Sequence, residues 1–100
     1  MIIGCPTEIK NQEYRVGITP ATAAEATLRG HKVLIQSGAG NGSGFSDSEY
    51  TEIGAIIIDT AEELFKKSEM IVKVKEPQAI EREMLREDQI LFTYLHLAPD

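Results

Sequence analysis

The sequence predicts an α/β fold in three layers, in which helices cover both faces of a mostly parallel five-stranded sheet. Two observations support this prediction. Five short apolar runs, rich in isoleucine and valine, alternate with polar segments that mostly begin with helix-capping residues. The connections between the runs are also long enough for crossover helices, which join parallel strands by right-handed connections.

The predicted strands are short apolar runs bounded by glycine, proline or charged residues. They cover residues 1–4, 32–36, 55–59, 70–75 and 89–95. The third run, AIIID, is continuous and β-branched, which predicts a strand buried on both faces. A polar loop is predicted at residues 6–15, followed by a short extended segment at residues 16–19.

The first predicted helix follows Thr19, which suits an N-cap, and has Pro20 at its first position. Gly30 supplies the stop signal at the other end. Ala21, Ala24 and Leu28 fall on one side of this helix and are predicted to face the sheet.

Two capping-box pairs and one apolar spacing predict the other helices. The pairs are Ser46 with Glu49 ahead of residues 47–53, and Thr60 with Glu63 ahead of residues 61–68. The last helix is predicted at residues 77–87, with Ile80 and Met84 on its inner side.

These elements predict a flavodoxin-like or Rossmann-like arrangement within one domain of 100 residues. The sequence stops directly after its last predicted strand, where a covering helix would ordinarily follow. We therefore expect an incomplete domain.

Composition excludes several classes of protein. The net charge of −6 argues against binding to nucleic acid or to an anionic membrane, because both need clustered Lys and Arg. The single cysteine, Cys5, rules out an internal disulfide and is interpreted as a small apolar residue at a strand end rather than a nucleophile. No apolar run reaches about 18 residues and no signal peptide is visible, so a cytoplasmic setting is expected.

The stretch SGAGNGSGF, residues 37–45, resembles a phosphate-binding loop in composition but not in spacing. A G-x-G-x-x-G fingerprint that starts at Gly38 requires glycine where Ser43 stands, and one that starts at Gly40 requires glycine where Phe45 stands. The loop is therefore predicted to be a turn whose glycines allow positive φ angles and a close backbone approach.

Three polar side chains are predicted at the carboxyl edge of the sheet, where ligands bind in open α/β folds. Arg15 ends the loop after the first strand, Lys75 ends the fourth strand, and His96 follows the fifth. An arginine fork binds a carboxylate, a lysine can polarise a carbonyl, and a histidine can transfer a proton. Together they suit a small 2-oxo acid or amino acid.

Each of these side chains also has a purely structural interpretation, as a surface or packed residue. Lys73 rivals Lys75, because residues two apart on a strand point to the same face. His31 directly follows a helix stop and is not expected to take part in chemistry. No spacing of Cys and His indicates a metal site.

The opening stretch GCPTEIKNQEYRVGITP resembles the signature of the alanine dehydrogenase and transhydrogenase alpha-subunit family, G-x-P-x-E-x3-N-E-x-R-V-x-x-T-P. The matching positions include Pro6, Glu8, Glu13, Arg15, Val16, Thr19 and Pro20. Gly17 departs from the more usual alanine. The dehydrogenase branch carries the lysine of KVKEP and the histidine of YLHLA, which the transhydrogenase branch typically lacks. The chain has both and is more similar to the dehydrogenases.

The resemblance implies roles for five residues. The family's substrate-binding arginine and lysine correspond to Arg15 and Lys75, and its catalytic histidine corresponds to His96. Glu8 and Tyr94 are expected beside these groups as supporting residues.

The resemblance also implies a reaction, a cofactor and an assembly. L-alanine, NAD and water would give pyruvate, ammonium and NADH in a cytoplasmic homo-hexamer. NAD would bind a later domain that is absent from residues 1–100, so these residues alone are expected to be inactive. A transhydrogenase alpha subunit and a non-catalytic module that binds small acids or assembles with partners remain as alternatives.

Overall fold

The structure is a computed structural model that describes residues 1–94. His96 lies outside the described residues. The strands are β1 (Ile2–Cys5), β2 (Lys32–Gln36), β3 (Ile56–Ile58), β4 (Met70–Lys73) and β5 (Ile90–Thr93). The helices are α1 (Pro20–Leu28), α2 (Asp47–Glu52), α3 (Ala61–Lys67) and α4 (Ala79–Arg82), and a short 3-10 helix lies at Asn41–Ser43.

The strands form one open, parallel five-stranded sheet in the order β3-β2-β1-β4-β5. The chain first moves outward from β1 through β2 to β3, and then returns to the other side of β1 for β4 and β5. This reversal makes the gap between β1 and β4 the topological switch point of the sheet. The predicted parallel α/β fold is confirmed.

Helices cover both faces of the sheet, as a parallel sheet requires. Helices α1 and α2 pack over one face, where the core includes Ile3, Val33, Ile35, Tyr50 and Val72. Helix α3 packs over the other face, where the core consists of Leu34, Ile58, Leu64, Phe65 and Ile71. None of the helices in residues 1–94 is long and apolar enough to cross a membrane.

The predicted start of α1 is confirmed, but its predicted inner face is wrong. Thr19 accepts a hydrogen bond from the amide of Thr22 at 3.2 Å, and Pro20 opens the helix. The buried residue is Ala23, whereas Leu28 is 83% exposed and Ala21 is exposed. Four alanines are spread around this short helix, so the sequence does not mark one face over another.

The third strand is shorter and more exposed than predicted. β3 lies at the edge of the sheet and pairs only with β2, so Ile56 remains 42% exposed while Ile58 is buried. A continuous β-branched run predicts a strand but does not reveal whether the strand is central or at an edge. The predicted extended segment at residues 16–19 is interrupted by a bend at residues 17 and 18, whereas Thr19 has extended backbone angles.

Helix α4 has four residues instead of the predicted eleven. The chain beyond it turns back to the end of α3, where Arg86 donates hydrogen bonds to the carbonyl oxygens of Phe65, Lys66 and Ser68. These carbonyls lack partners inside α3, so the interaction competes with a longer α4. Ile80, predicted to face inward, is 62% exposed.

The two capping boxes differ. Ser46 and Glu49 form both hydrogen bonds of the box at the start of α2. The Thr60 hydroxyl accepts a hydrogen bond from the amide of Glu63 at 3.2 Å, but the Glu63 carboxylate forms an ion pair with Lys67 at 2.7 Å. The second predicted box is therefore only half formed.

Cys5 ends β1 and is fully buried, as the sequence predicts for a small apolar residue. Burial raises the pKa of its thiol to about 12. The thiolate is the reactive form of cysteine, so Cys5 in the folded chain is almost entirely in its unreactive thiol form at neutral pH.

Cys5 in the folded protein should therefore react with iodoacetamide at least about a hundredfold more slowly at pH 8 than in the denatured chain, where the pKa is near 8.5. Because folding raises this pKa, the native state holds its proton longer, and stability should fall as the pH rises from about 9 towards 12. Mass spectrometry of the labelled protein, with and without urea, measures the rate. Equal labelling rates in the two states would contradict the buried position.

Candidate functional site

The candidate site lies at the switch point, beyond the carboxyl ends of β1 and β4. Arg15 belongs to the loop that follows β1, and Lys75 lies two residues after β4. Both line a cleft of about 400 Å³, together with Lys10 and Glu13. Three cationic side chains and one carboxylate thus line a cleft at the edge of the sheet where open α/β folds bind ligands.

Arg15 is engaged by the side chain of Glu13. The Arg15 Nε lies 2.9 Å from Glu13 Oε2 and its Nη2 lies 3.0 Å from Glu13 Oε1, so the contact is bidentate. These hydrogen bonds, with a contribution from the charge of Lys75, lower the pKa of the Glu13 carboxyl. The Glu13 side chain is only 5% exposed, whereas that of Arg15 is 67% exposed. The Arg15 fork is therefore oriented to bind a carboxylate.

Lys73, the rival of Lys75 in the sequence, does not line this cleft. Its ammonium is buried and lies 3.0 Å from carboxylate oxygens of both Glu8 and Glu81. The expectation that the two lysines share a face assumed a strand through residue 75, but β4 ends at Lys73. The structure therefore brings Lys75 and not Lys73 next to Arg15.

Glu8 lies directly behind Lys75. Its carboxylate accepts hydrogen bonds from the Lys73 ammonium at 3.0 Å, the Val74 amide at 2.9 Å and the Lys75 amide at 3.2 Å. Sequence spacing alone does not indicate these contacts, which join residues more than sixty positions apart.

Tyr94 follows β5 and approaches the same region from the other side. Its hydroxyl donates a hydrogen bond to the carbonyl of Gly17 at 2.8 Å. It lines a second cavity of about 340 Å³, which Arg15 also lines. β4 and β5 are parallel neighbours, with Lys73 opposite Thr93, so the predicted direction of the last two strands is confirmed.

The glycine-rich loop supports the segment that carries Arg15. A Cβ atom on Gly42 would lie 2.7 Å from the carbonyl oxygen of Tyr14, and the Ser43 hydroxyl donates to that same oxygen at 3.0 Å. Gly38 and Gly44 adopt positive φ angles of 81° and 84°. The predicted turn with a close backbone approach is confirmed, although the sequence did not reveal which segment it contacts.

One further cavity is lined by neither Arg15 nor Lys75. A somewhat larger cavity, of about 440 Å³, lies between α3 and α4 and has a mostly apolar lining. Within residues 1–94, no group of three or more His, Cys, Asp or Glu side chains is arranged to hold a metal ion.

The fold and the cleft define a class: a doubly wound α/β domain with arginine and lysine side chains at its switch point. Residues 4–100 match the family model described as "Alanine dehydrogenase/PNT, N-terminal domain". The chain therefore belongs to this family.

Individual relatives agree with the family. The chain is 58% identical to an alanine dehydrogenase of Methanococcus maripaludis over 100% of its own length and 27% of the relative. It is 55% identical to one from Mycolicibacterium smegmatis, over 98% of this chain and 26% of that one. The chain thus spans about a quarter of the length of these relatives.

Two solved structures from the same two branches of the family resemble this chain. A structure of L-alanine dehydrogenase superposes with a TM-score of 0.91 and 47% identity, over 97% of this chain and 27% of that one. A transhydrogenase from Sinorhizobium meliloti gives 0.88 and 28% identity, over 95% and 27%. The dehydrogenase is thus the nearer of these two relatives in sequence.

Replacing Gly42 by alanine should destabilise the fold by about 1–3 kcal/mol, because the added methyl group overlaps a backbone oxygen that cannot rotate away. Ser43→Ala is the matched control, since it removes a single exposed hydrogen bond and should cost about 0.5–1.5 kcal/mol at most. Urea denaturation measures both. A Gly42→Ala protein as stable as the wild type would show that the two loops do not touch as described.

Proposed function

We propose that this chain is the N-terminal part of the substrate-binding domain of an NAD-dependent L-alanine dehydrogenase, which converts L-alanine reversibly to pyruvate and ammonium. The observation that carries the proposal is the Arg15 fork, which holds a carboxylate beside Lys75 at the switch point. The 55–58% identity to alanine dehydrogenases supports this choice of substrate.

Arg15 binds the substrate carboxylate in this proposal. The substrate takes the place of Glu13, because both carboxylates require the same two guanidinium nitrogens. The exposed Arg15 side chain can turn towards the cleft without disturbing the core.

Lys75 acts on the other end of a small substrate. Its protonated ammonium binds the oxygen of pyruvate and polarises the carbonyl carbon. His96 acts as the general acid and base on the oxygen or nitrogen that changes. Glu8 and Tyr94 support these groups from neighbouring positions.

The glycine-rich loop at residues 37–45 does not fit a dinucleotide site. The glycine-rich loop contains a 3-10 helix and lies against the backbone of Tyr14. Its Gly38 amide already donates to the Asp47 carboxylate at 2.9 Å, at the start of the six-residue helix α2. We therefore assign NAD to a separate domain of the same polypeptide. A cytoplasmic homo-hexamer is proposed from the family resemblance.

The central experiment measures NADH formed from L-alanine and NAD by the polypeptide that contains this chain. Activity with L-alanine, and NADH consumption with pyruvate and ammonium, is expected. A peptide of residues 1–100 should give no NADH above the blank. If the full polypeptide leaves L-alanine unchanged and instead transfers hydride between NAD and NADP, it is a transhydrogenase subunit. A non-catalytic module would bind small acids without turnover.

Arg15→Ala should raise the KM for pyruvate about ten- to hundredfold and change kcat little, because a carboxylate clamp holds ground state and transition state alike. Lys75→Ala should both raise KM and lower kcat, since polarisation of the carbonyl grows in the transition state. Lys66→Ala, on the exposed side of α3, is the control. Normal kinetics for a folded Lys75→Ala protein would remove the lysine from the site.

His96→Ala should lose about a hundred- to ten-thousandfold in turnover while remaining folded, the usual loss for a general acid or base. His31→Ala is the matched control. Its imidazole lies 3.4 Å from the N-terminal amine, at the opposite end of the sheet from the cleft. Turnover with pyruvate, ammonium and NADH is measured beside circular dichroism. A folded His96→Ala enzyme that keeps more than roughly a third of wild-type turnover would place the proton transfer elsewhere.

A further inference from the structure

Three ionised side chains are buried together beneath the candidate site. The side chains of Lys73, Glu8 and Glu81 are 1%, 2% and 3% exposed. Both carboxylates lie 3.0 Å from the Lys73 ammonium. We call these three residues the buried triad.

The buried triad joins the two loops that form the cleft. Glu8 belongs to the loop after β1, which also carries Arg15, and its carboxylate binds the amides of Val74 and Lys75 in the loop after β4. On the far side of the second loop, the Glu81 carboxylate accepts a hydrogen bond from the backbone amide of Gln78 at 2.8 Å. The loop that carries Lys75 is thus fixed at both ends.

Exposed contacts cannot hold this loop equally well. The Lys10–Glu76 ion pair also crosses between the loops, at 2.8 Å, but its side chains are 41% and 61% exposed. Ion pairs in water contribute little, because solvent screens them and both side chains lose rotamer freedom. The buried contacts are therefore the ones that set the distance between the two loops.

Stability alone does not account for the buried triad. Removing two carboxylates and an ammonium from water costs about as much as their attraction returns, and apolar side chains of similar volume commonly stabilise a core better. The charged groups instead add geometric specificity, since each carboxylate holds particular N–H groups in fixed positions.

We propose that Glu8, Lys73 and Glu81 are positioning residues that hold Lys75 at a fixed distance from Arg15 across the switch point. The inference rests on the proposed role of Lys75 as a substrate-binding residue. Lys73 acts through Glu8, whose orientation it fixes, and does not touch the substrate.

The test is a double-mutant cycle between Glu8→Gln and Lys75→Ala in the full polypeptide. The Glu8→Gln substitution keeps the side-chain volume, but it replaces one acceptor oxygen by an NH₂ donor that faces another donor. It should lower kcat/KM for pyruvate about tenfold or more in the wild-type background, but no more than about twofold when Lys75 is already alanine. The KM for NADH should change less than about twofold, because the dinucleotide binds elsewhere.

A structural measurement accompanies the kinetics. The amides of Val74 and Lys75 should exchange with deuterium about tenfold faster in Glu8→Gln than in the wild type, while those of β2 remain unchanged. Glu52→Gln, at an exposed position of α2, is the matched control and should alter neither measurement.

The possible outcomes are distinct. Equal losses in both Lys75 backgrounds, or unchanged exchange at residues 74 and 75, would overturn the inference. If Glu8→Gln fails to fold, the same double-mutant cycle is run with Glu81→Gln. This substitution weakens the buried triad at Lys73 but leaves the three hydrogen bonds to Glu8 in place. If the wild type does not act on L-alanine, the proposed function fails, and the exchange experiment still decides whether Glu8 holds the loop.

Discussion

The carboxylate of Glu8 is the point on which the geometry of the cleft depends. It accepts one hydrogen bond from a buried ammonium and two from backbone amides that follow β4. Parallel strands end at the same edge of a sheet, but nothing in a sheet fixes the loops that leave it. Glu8 provides that constraint, because it belongs to one loop and binds the backbone of the other.

The strand order determines why these loops meet. β2 and β3 lie on one side of β1, and β4 and β5 on the other, so the connections after β1 and β4 diverge to opposite faces. The divergence opens a cleft between neighbouring strands that are far apart in sequence. Arg15 and Lys75 thereby become neighbours, and the glycine-rich loop after β2 packs against the segment beside Arg15.

Most of the fold was predictable from the sequence because its signals are local. Thr19 with Pro20, and Ser46 with Glu49, fix helix starts by bonds within one turn. The edge position of β3 was not predictable, because strand order in a sheet is set by contacts between segments that are distant in sequence. Helix α4 ends early because Arg86 binds the carbonyls of α3, a contact between segments about twenty residues apart.

The candidate site was predictable only in part. Motif spacing located Arg15 and Lys75 at the edge where the structure brings them together. It could not separate Lys75 from Lys73, because strand alternation treats them alike until the end of β4 is known. It also missed Glu81, whose burial depends on its contact with the Lys73 ammonium on another element.

The pairing of Arg15 with Glu13 has a consequence for selectivity. A ligand that engages this guanidinium exchanges one carboxylate for another, so its net gain is the small difference between two similar ion pairs. Molecules of the same size that lack a carboxylate compete poorly for the Arg15 guanidinium, because they form weaker hydrogen bonds with it than Glu13 does. Selection against molecules that lack a carboxylate thus comes from competition with Glu13 within the chain rather than from the shape of the cleft.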